Sequence, residues 1–179
     1  MMTYRTILID PPWPIAMMTF SSRFPKNWRS AKLPYPTLTI PQIATLPVAT
    51  FAEPGTHLWL WTTNRMLPHA FDLVKAWGFT YHAPITWRKP SGCGAYFVSV
   101  TQHLIFAYKD KCQFHRKRYF PTCFNANPQR HSTKPEISYA MIEAISDAPR
   151  LELFARRKRE GWDVWGNEVE CDVTFDFAV

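Results

Sequence analysis

The chain has 179 residues, 46% of them hydrophobic and 20% charged, which suits one domain with a buried core and excludes a disordered chain. No apolar run reaches membrane-spanning length and the N-terminus "MMTYRTILID" lacks a signal-peptide core, so a cytoplasmic protein with no membrane partner is expected. The net charge of +7 favours a polyanionic partner, and its basic residues gather in "KDKCQFHRKR" (109–118) and "RRKR" (156–159), although such clusters also suit a solvated face.

In chain order, "RTILID" (5–10) reads as a first strand and "HLWLWTT" (57–63) as a second, whose unbroken apolar run fits burial on both faces. Leu67, Ala70, Phe71, Val74 and Trp77 then keep helical spacing, with Gly78 placed to end the helix. "ITWRK" (85–89) and "HLIFAYK" (103–109) are two further strands. Ile137, Ala140, Met141, Ala144 and Ile145 mark a second helix, followed by strands at 150–156 and 162–167. This alternation predicts an α/β fold with a mainly parallel sheet, in a single domain spanning 1–179. Residues 14–36 and 110–133 are rich in Pro, Phe, Arg, Lys and Asn without periodicity, and are expected to be functional loops on the same side of the sheet as Asp10. The four cysteines form no C-x-x-C pair and are expected to be reduced thiols. The spacing of Cys112, His115, Cys123 and His131 matches no common zinc finger, so no metal is expected.

The first strand ends in "DPPW", Asp10 to Trp13. In an open α/β sheet ligands bind beyond the carboxyl ends of strands, where Asp10 stands. Pro11 and Pro12 cannot extend a central strand and have no N–H, which leaves carbonyls free to accept alongside the carboxylate. Two fixed acceptors suit a group with two hydrogens to donate, such as the exocyclic amine of a nucleobase. Trp13 would supply a flat surface for the base. The same four residues also describe an Asp-Pro turn with a tryptophan packed into the core.

Further on, Thr133 and Glu136 have capping-box spacing, which predicts a helix start with Lys134 and Pro135 in its first turn. A cation there opposes the helix dipole, and makes sense if an anion is recruited to the same terminus. Glu152 interrupts an apolar strand, so it must be paired, solvated or bonded to a ligand such as ribose hydroxyls. Arg156, Asn167 and Glu168 are further polar groups near strand ends.

The ordered blocks "DPPW" (10–13), "YPT" (35–37), "LWLWTTN" (58–64), "AWGF" (76–79), "RHSTKPE" (130–136), "LELFARR" (151–157) and "GWDVWGNE" (161–168) resemble the MT-A70-like family. That family uses S-adenosylmethionine to methylate the exocyclic amine of adenine, and the resemblance runs from about Thr6 to Val169. It implies a Rossmann-like methyltransferase fold with flanking helices and a permuted order, catalytic motif first and cofactor motif last. It also implies roles. Asp10 and Pro11 would hold the target amine within the motif Asp10, Pro11, Pro12 and Trp13, with Asp10 also near the methionine part of the cofactor and Trp13 lining the base pocket. Lys134 would bind the cofactor carboxylate, and Glu152, Phe154, Arg156, Asn167 and Glu168 would line the cofactor pocket. The chain departs from the broader pattern in having "ELFAR" instead of a glycine-rich loop and only nine residues before Asp10, and no separate recognition domain is expected.

Recognition is therefore expected from the two long loops or from a partner, either a second copy in a homodimer or another subunit. Phe20, Phe24, Trp28, Arg23, Lys26, Arg29 and Tyr35 would line the substrate entry, and Arg116, Lys117 and Arg118 would meet phosphates. The expected reaction is direct in-line methyl transfer to adenine in DNA, the base being flipped out of a duplex. RNA as substrate, or a catalytically silent nucleic-acid-binding subunit, are the alternatives. Cytosine amine methylation is disfavoured because those enzymes usually carry Ser in place of Asp10.

Overall fold

The computed structural model describes residues 2–14, 36–93, 96–114, 119–128 and 133–174. The strands are β1 (Tyr4–Ile9), β2 (Ala52–Thr63), β3 (Thr80–Cys93), β4 (Ser99–Tyr108), β5 (Cys123–Asn125), β6 (Arg150–Leu153) and β7 (Asp163–Trp165). They form one seven-stranded sheet in the order β5-β3-β4-β2-β1-β6-β7. β2 carries eight consecutive buried residues, as its unbroken apolar run requires of a strand covered on both faces. The expected α/β, mostly parallel fold holds: β4 alone runs antiparallel to its neighbours β2 and β3, and the other adjacent pairs are parallel. The short link from β3 to β4 explains the exception, because a parallel pair needs a crossover of a dozen or more residues.

Helices cover both faces. α1 (Ile40–Ala44) and α2 (Leu67–Ala76) bury Ile43, Ala70, Leu73 and Val74 against Ile7, Ile9, Leu58, Leu60 and Ile105. On the other face α3 (Glu136–Ile145) buries Tyr139, Met141 and Ile142 against Leu8, Trp59, Trp61 and Leu104. α2 stops where expected: Gly78 takes φ +74°, Gly78 N–H bonds Lys75 O at 2.9 Å and Phe79 N–H bonds Val74 O at 3.0 Å. This is the paired-bond terminator that a left-handed glycine makes possible.

Three expectations need correction. α3 begins at Glu136 with Pro135 as its extended N-cap (φ −68°, ψ 139°) and no side-chain capping bond, so Lys134 precedes the helix instead of lying in its first turn. The Lys134 ammonium is engaged instead by Asp10, at 2.9 Å. Secondly, the 110–133 segment does not leave the sheet beside Asp10. Because β4 is antiparallel, Tyr108 lies opposite His57 at the start of β2, and Lys109 bonds Thr56 and Gly55 there. Phe114 packs on His57 and Phe106 near that far edge, and the chain returns toward Asp10 only through β5. Thirdly, the strand expected over 150–156 ends at Leu153, because Phe154 turns to φ +62°. Among the α-helices and strands named above, α1 and the short β5 passed unnoticed in the sequence.

Candidate active site

The parallel strands β1, β2, β6 and β7 all end on one edge, and β1 is where the chain first runs outward to β2 and later returns on the other side through β6. A crevice at such a switch point is the usual ligand position in open α/β sheets. Here it is a cleft of about 900 Å³, the part open to solvent included, lined by Asp10, Pro11, Pro12, Trp13, Pro36, Thr62, Thr63, Gln102, Lys134, Phe154, Ala155, Arg156, Asn167 and Glu168.

The centre of the cleft is an ion pair. Lys134 Nζ stands 2.9 Å from Asp10 Oδ2, with the two side chains 11% and 24% exposed. The ammonium also lies 5.2 Å from the centroid of the Trp61 ring, a cation–π arrangement. The end of β1 delivers the carboxylate and the residue before the Pro135 N-cap of α3 delivers the cation, so two segments more than a hundred residues apart in sequence meet here. Together they form a zwitterionic pair, complementary to a ligand that carries both a carboxylate and an ammonium.

The motif around Asp10 is more closed than expected. Pro11 O accepts the Trp13 N–H at 2.8 Å and Pro12 O accepts the Leu38 N–H at 2.9 Å, so both proline carbonyls have a backbone donor. A carbonyl has two lone pairs, and the second one of Pro11 remains an acceptor site. Trp13 is only 4% exposed, packs in the core and donates its indole N–H to Trp61 O at 2.9 Å. It lines the cleft while being held rigidly, and combines the two sequence-based alternatives for this residue.

The other wall comes from the β6 and β7 exits. Phe154, in the left-handed region that costs a bulky residue energy, packs edge-on to Trp165 at 5.3 Å. Ala155 N–H bonds Trp165 O at 2.9 Å, and a Cβ on Gly166 would sit 2.1 Å from Ala155 O, so only glycine permits this close crossing. Arg156 Nη1 and Glu168 Oε1 stand 3.7 Å apart, at the exposed rim beside Asn167.

Glu152 departs from this group. It lies under α3, 8% exposed, and accepts the Tyr139 hydroxyl at 2.8 Å instead of lining the cleft. Burial raises its pKa to about 7; the nearby Asp10 charge adds to this, while the Tyr139 bond, Arg159 and Lys134 oppose it. Burial and the Glu152 charge in turn raise the Tyr139 phenol. Arg23, Lys26, Arg29, Tyr35, Phe20, Phe24 and Trp28, with Arg116, Lys117 and Arg118, lie outside the described residues. Thr62, Thr63 and Gln102 were missed in the sequence. The two threonines end an apolar strand with a sudden polar step, a signal like that of Asp10. Gln102 reaches the cleft only because antiparallel β4 sets it opposite Thr63.

The MT-A70 family model matches residues 4–168, which takes in every element described above. The chain belongs to the MT-A70 family. Within that family of adenine-N6 methyltransferases it is similar to the Type II methyltransferase M.MunI of a Mycoplasma species, with 29% identity over 93% of this chain and 78% of that protein. It is likewise 28% identical to the human N(6)-adenine-specific methyltransferase METTL4, over 93% of this chain and 38% of that one. The N6-methyladenosine RNA methyltransferase MTA1 of Cryphonectria parasitica is also 28% identical, over 91% of this chain and 51% of its own length. MT-A70 membership covers the cleft, since its lining from Asp10 to Glu168 falls inside the matched span.

Proposed function

We propose that this chain transfers a methyl group from S-adenosylmethionine to the exocyclic amine of adenine in DNA. The observation that carries the reading is the Asp10–Lys134 pair at 2.9 Å, in a cleft at the carboxyl edge of the sheet. Its paired charges fit the amino-acid end of the cofactor, with Lys134 opposite a carboxylate and Asp10 opposite an ammonium. Phe154 and Ala155 offer an apolar wall, and Asn167 and Glu168 offer acceptors and donors suited to ribose. When bound, S-adenosylmethionine supplies an electrophilic methyl group.

The residues of the chain then have positioning and electrostatic work to do. The carboxylate of Asp10 and the free lone pair of the Pro11 carbonyl accept the two amine hydrogens. This draws the nitrogen from conjugation with the ring and exposes its lone pair. Trp13, locked by its bond to Trp61, borders the base. The proton lost from the amine passes to water, and no covalent intermediate with the chain is needed.

DNA is preferred because, of the relatives compared, the bacterial Type II methyltransferase shares the largest part of its own length with this chain. Incubation of the protein and cofactor with duplex DNA, single-stranded DNA or RNA, followed by mass spectrometry of nucleosides, tests the reading. N6-methyldeoxyadenosine is the expected product. Methylation of RNA alone would replace the substrate, and cofactor binding without any product would point to a scaffold subunit.

A further inference from the structure

The β3–β4 hairpin rises from the same edge of the sheet as the cleft, because β3 is parallel to β5 and antiparallel to β4, as β2 is. Its base is part of the site: Gln102, which lines the cleft, pairs with Thr63 on one side and Trp87 on the other. From there the hairpin is built firmly. Asn64 Nδ2 donates to Ser99 Oγ at 3.2 Å and Thr101 Oγ1 at 3.0 Å. A Cβ on Gly92 would fall 2.1 Å from Ser99 O, so glycine is needed for the two strands to close.

Beyond this support the chain exposes Tyr96, Phe97 and Val98, which are 89%, 91% and 57% accessible. Three consecutive exposed apolar side chains, two of them aromatic, are costly to leave in water and mark an interaction site. Their surroundings state the charge of the partner. No carboxylate occurs between Asp72 and Asp110, whereas Arg88 is exposed and Lys89 lies over the Trp87 ring at 4.7 Å.

We infer that this hairpin tip is a nucleic-acid arm, with Tyr96 and Phe97 stacking on bases next to the adenine that enters the cleft and Arg88 and Lys89 meeting phosphates. The inference rests on the proposed nucleic-acid substrate. An extruded base leaves a gap in its stack, and an apolar wedge beside the pocket offsets part of that cost. Stacking platforms flanked by cations are also how single strands are held without sequence preference.

The test uses fluorescence anisotropy with a labelled oligodeoxyadenylate and a mixed-sequence duplex, over a range of salt. Tyr96→Ala with Phe97→Ala should weaken binding about ten- to a hundredfold with an unchanged salt slope. Arg88→Ala with Lys89→Ala should instead flatten the slope of log affinity against log salt by about 1–2. Circular dichroism and thermal melting should match wild type for the aromatic variant, since Tyr96 and Phe97 are exposed, and should report any folding cost of losing the half-buried Lys89. If wild type binds and methylates nucleic acid and the aromatic variant equals it, the arm is overturned and the proposed function stands. A change of oligomeric state in that variant, with nucleic-acid affinity intact, would assign the tip to a second copy and also overturn it. If wild type neither binds nor methylates any nucleic acid, the proposed function fails and the arm with it.

Discussion

Two stretches of this chain share one pattern and fold differently. Thr39-Ile40-Pro41-Gln42 and Thr133-Lys134-Pro135-Glu136 both have the T-x-P-(Q/E) spacing of a capping box. The first forms it: Gln42 N–H bonds Thr39 Oγ1 at 3.4 Å and Thr39 N–H bonds Gln42 Oε1 at 2.8 Å. The second does not. Its lysine is drawn to Asp10, its glutamate is taken by Arg157 and Arg159, and the helix starts at Glu136, two residues later than the box would set it, without a side-chain cap. Local preference yields where distant charged partners compete for the same side chains. At 39–42 nothing competes, and the backbone takes the best local bonds. At 133–136 charged partners from distant segments outbid the cap, and a cation is left at the floor of a cleft.

The largest expected effect comes from removing the partner that draws Lys134 away. Asp10→Ala should reduce methyl transfer by about a thousandfold or more, measured as labelled methyl incorporated into nucleic acid. Retained activity would mean that the pair holds the loop in place and takes no part in the chemistry. Beneath it, Glu152 should impose a pH dependence on stability. The unfolded carboxyl ionises near 4.5 and the folded one near 7, so stability falls as pH rises through that window and levels above it. The loss is about 3 kcal/mol, at the rate of about 1.4 kcal/mol per unit. Glu152→Gln should abolish this component, so urea unfolding at pH 5 and pH 8 should favour the variant over wild type at the higher pH.

The smallest effects separate the two matching stretches most cleanly. Thr39→Ala should cost about 1 kcal/mol in denaturant unfolding and leave methyl transfer unchanged. Thr133→Ala should cost close to nothing, because no capping bond is lost there. Equal costs at the two positions would mean that both boxes form in solution.

Much of the fold was legible because long apolar runs and helical spacing report burial directly. β2 and α2 carry such patterns and lie where they were expected. α1 and β5 are five and three residues long, too short for periodicity to show. The direction of β4 could not be read from its residues at all, since it follows from the shortness of the β3–β4 link. In the site, Asp10, Lys134, Phe154, Arg156, Asn167 and Glu168 meet in one cleft. Glu152 does not, because a carboxylate inside an apolar strand can be satisfied by a buried tyrosine as well as by a ligand. The closure of the Pro11 and Pro12 carbonyls was equally out of reach, for it depends on the Trp13 N–H folding back and on Leu38 docking from another segment.

In the proposed function Lys134, left outside the helix, holds an anionic cofactor group beside Asp10. Calorimetric titration of S-adenosylmethionine into wild type and Lys134→Met tests it most directly, with Thr39→Ala as the control. The lysine variant should stay folded and lose affinity by about thirtyfold or more, as expected for removal of a charge-assisted bond, while the control binds as wild type. Unchanged affinity in Lys134→Met would contradict it.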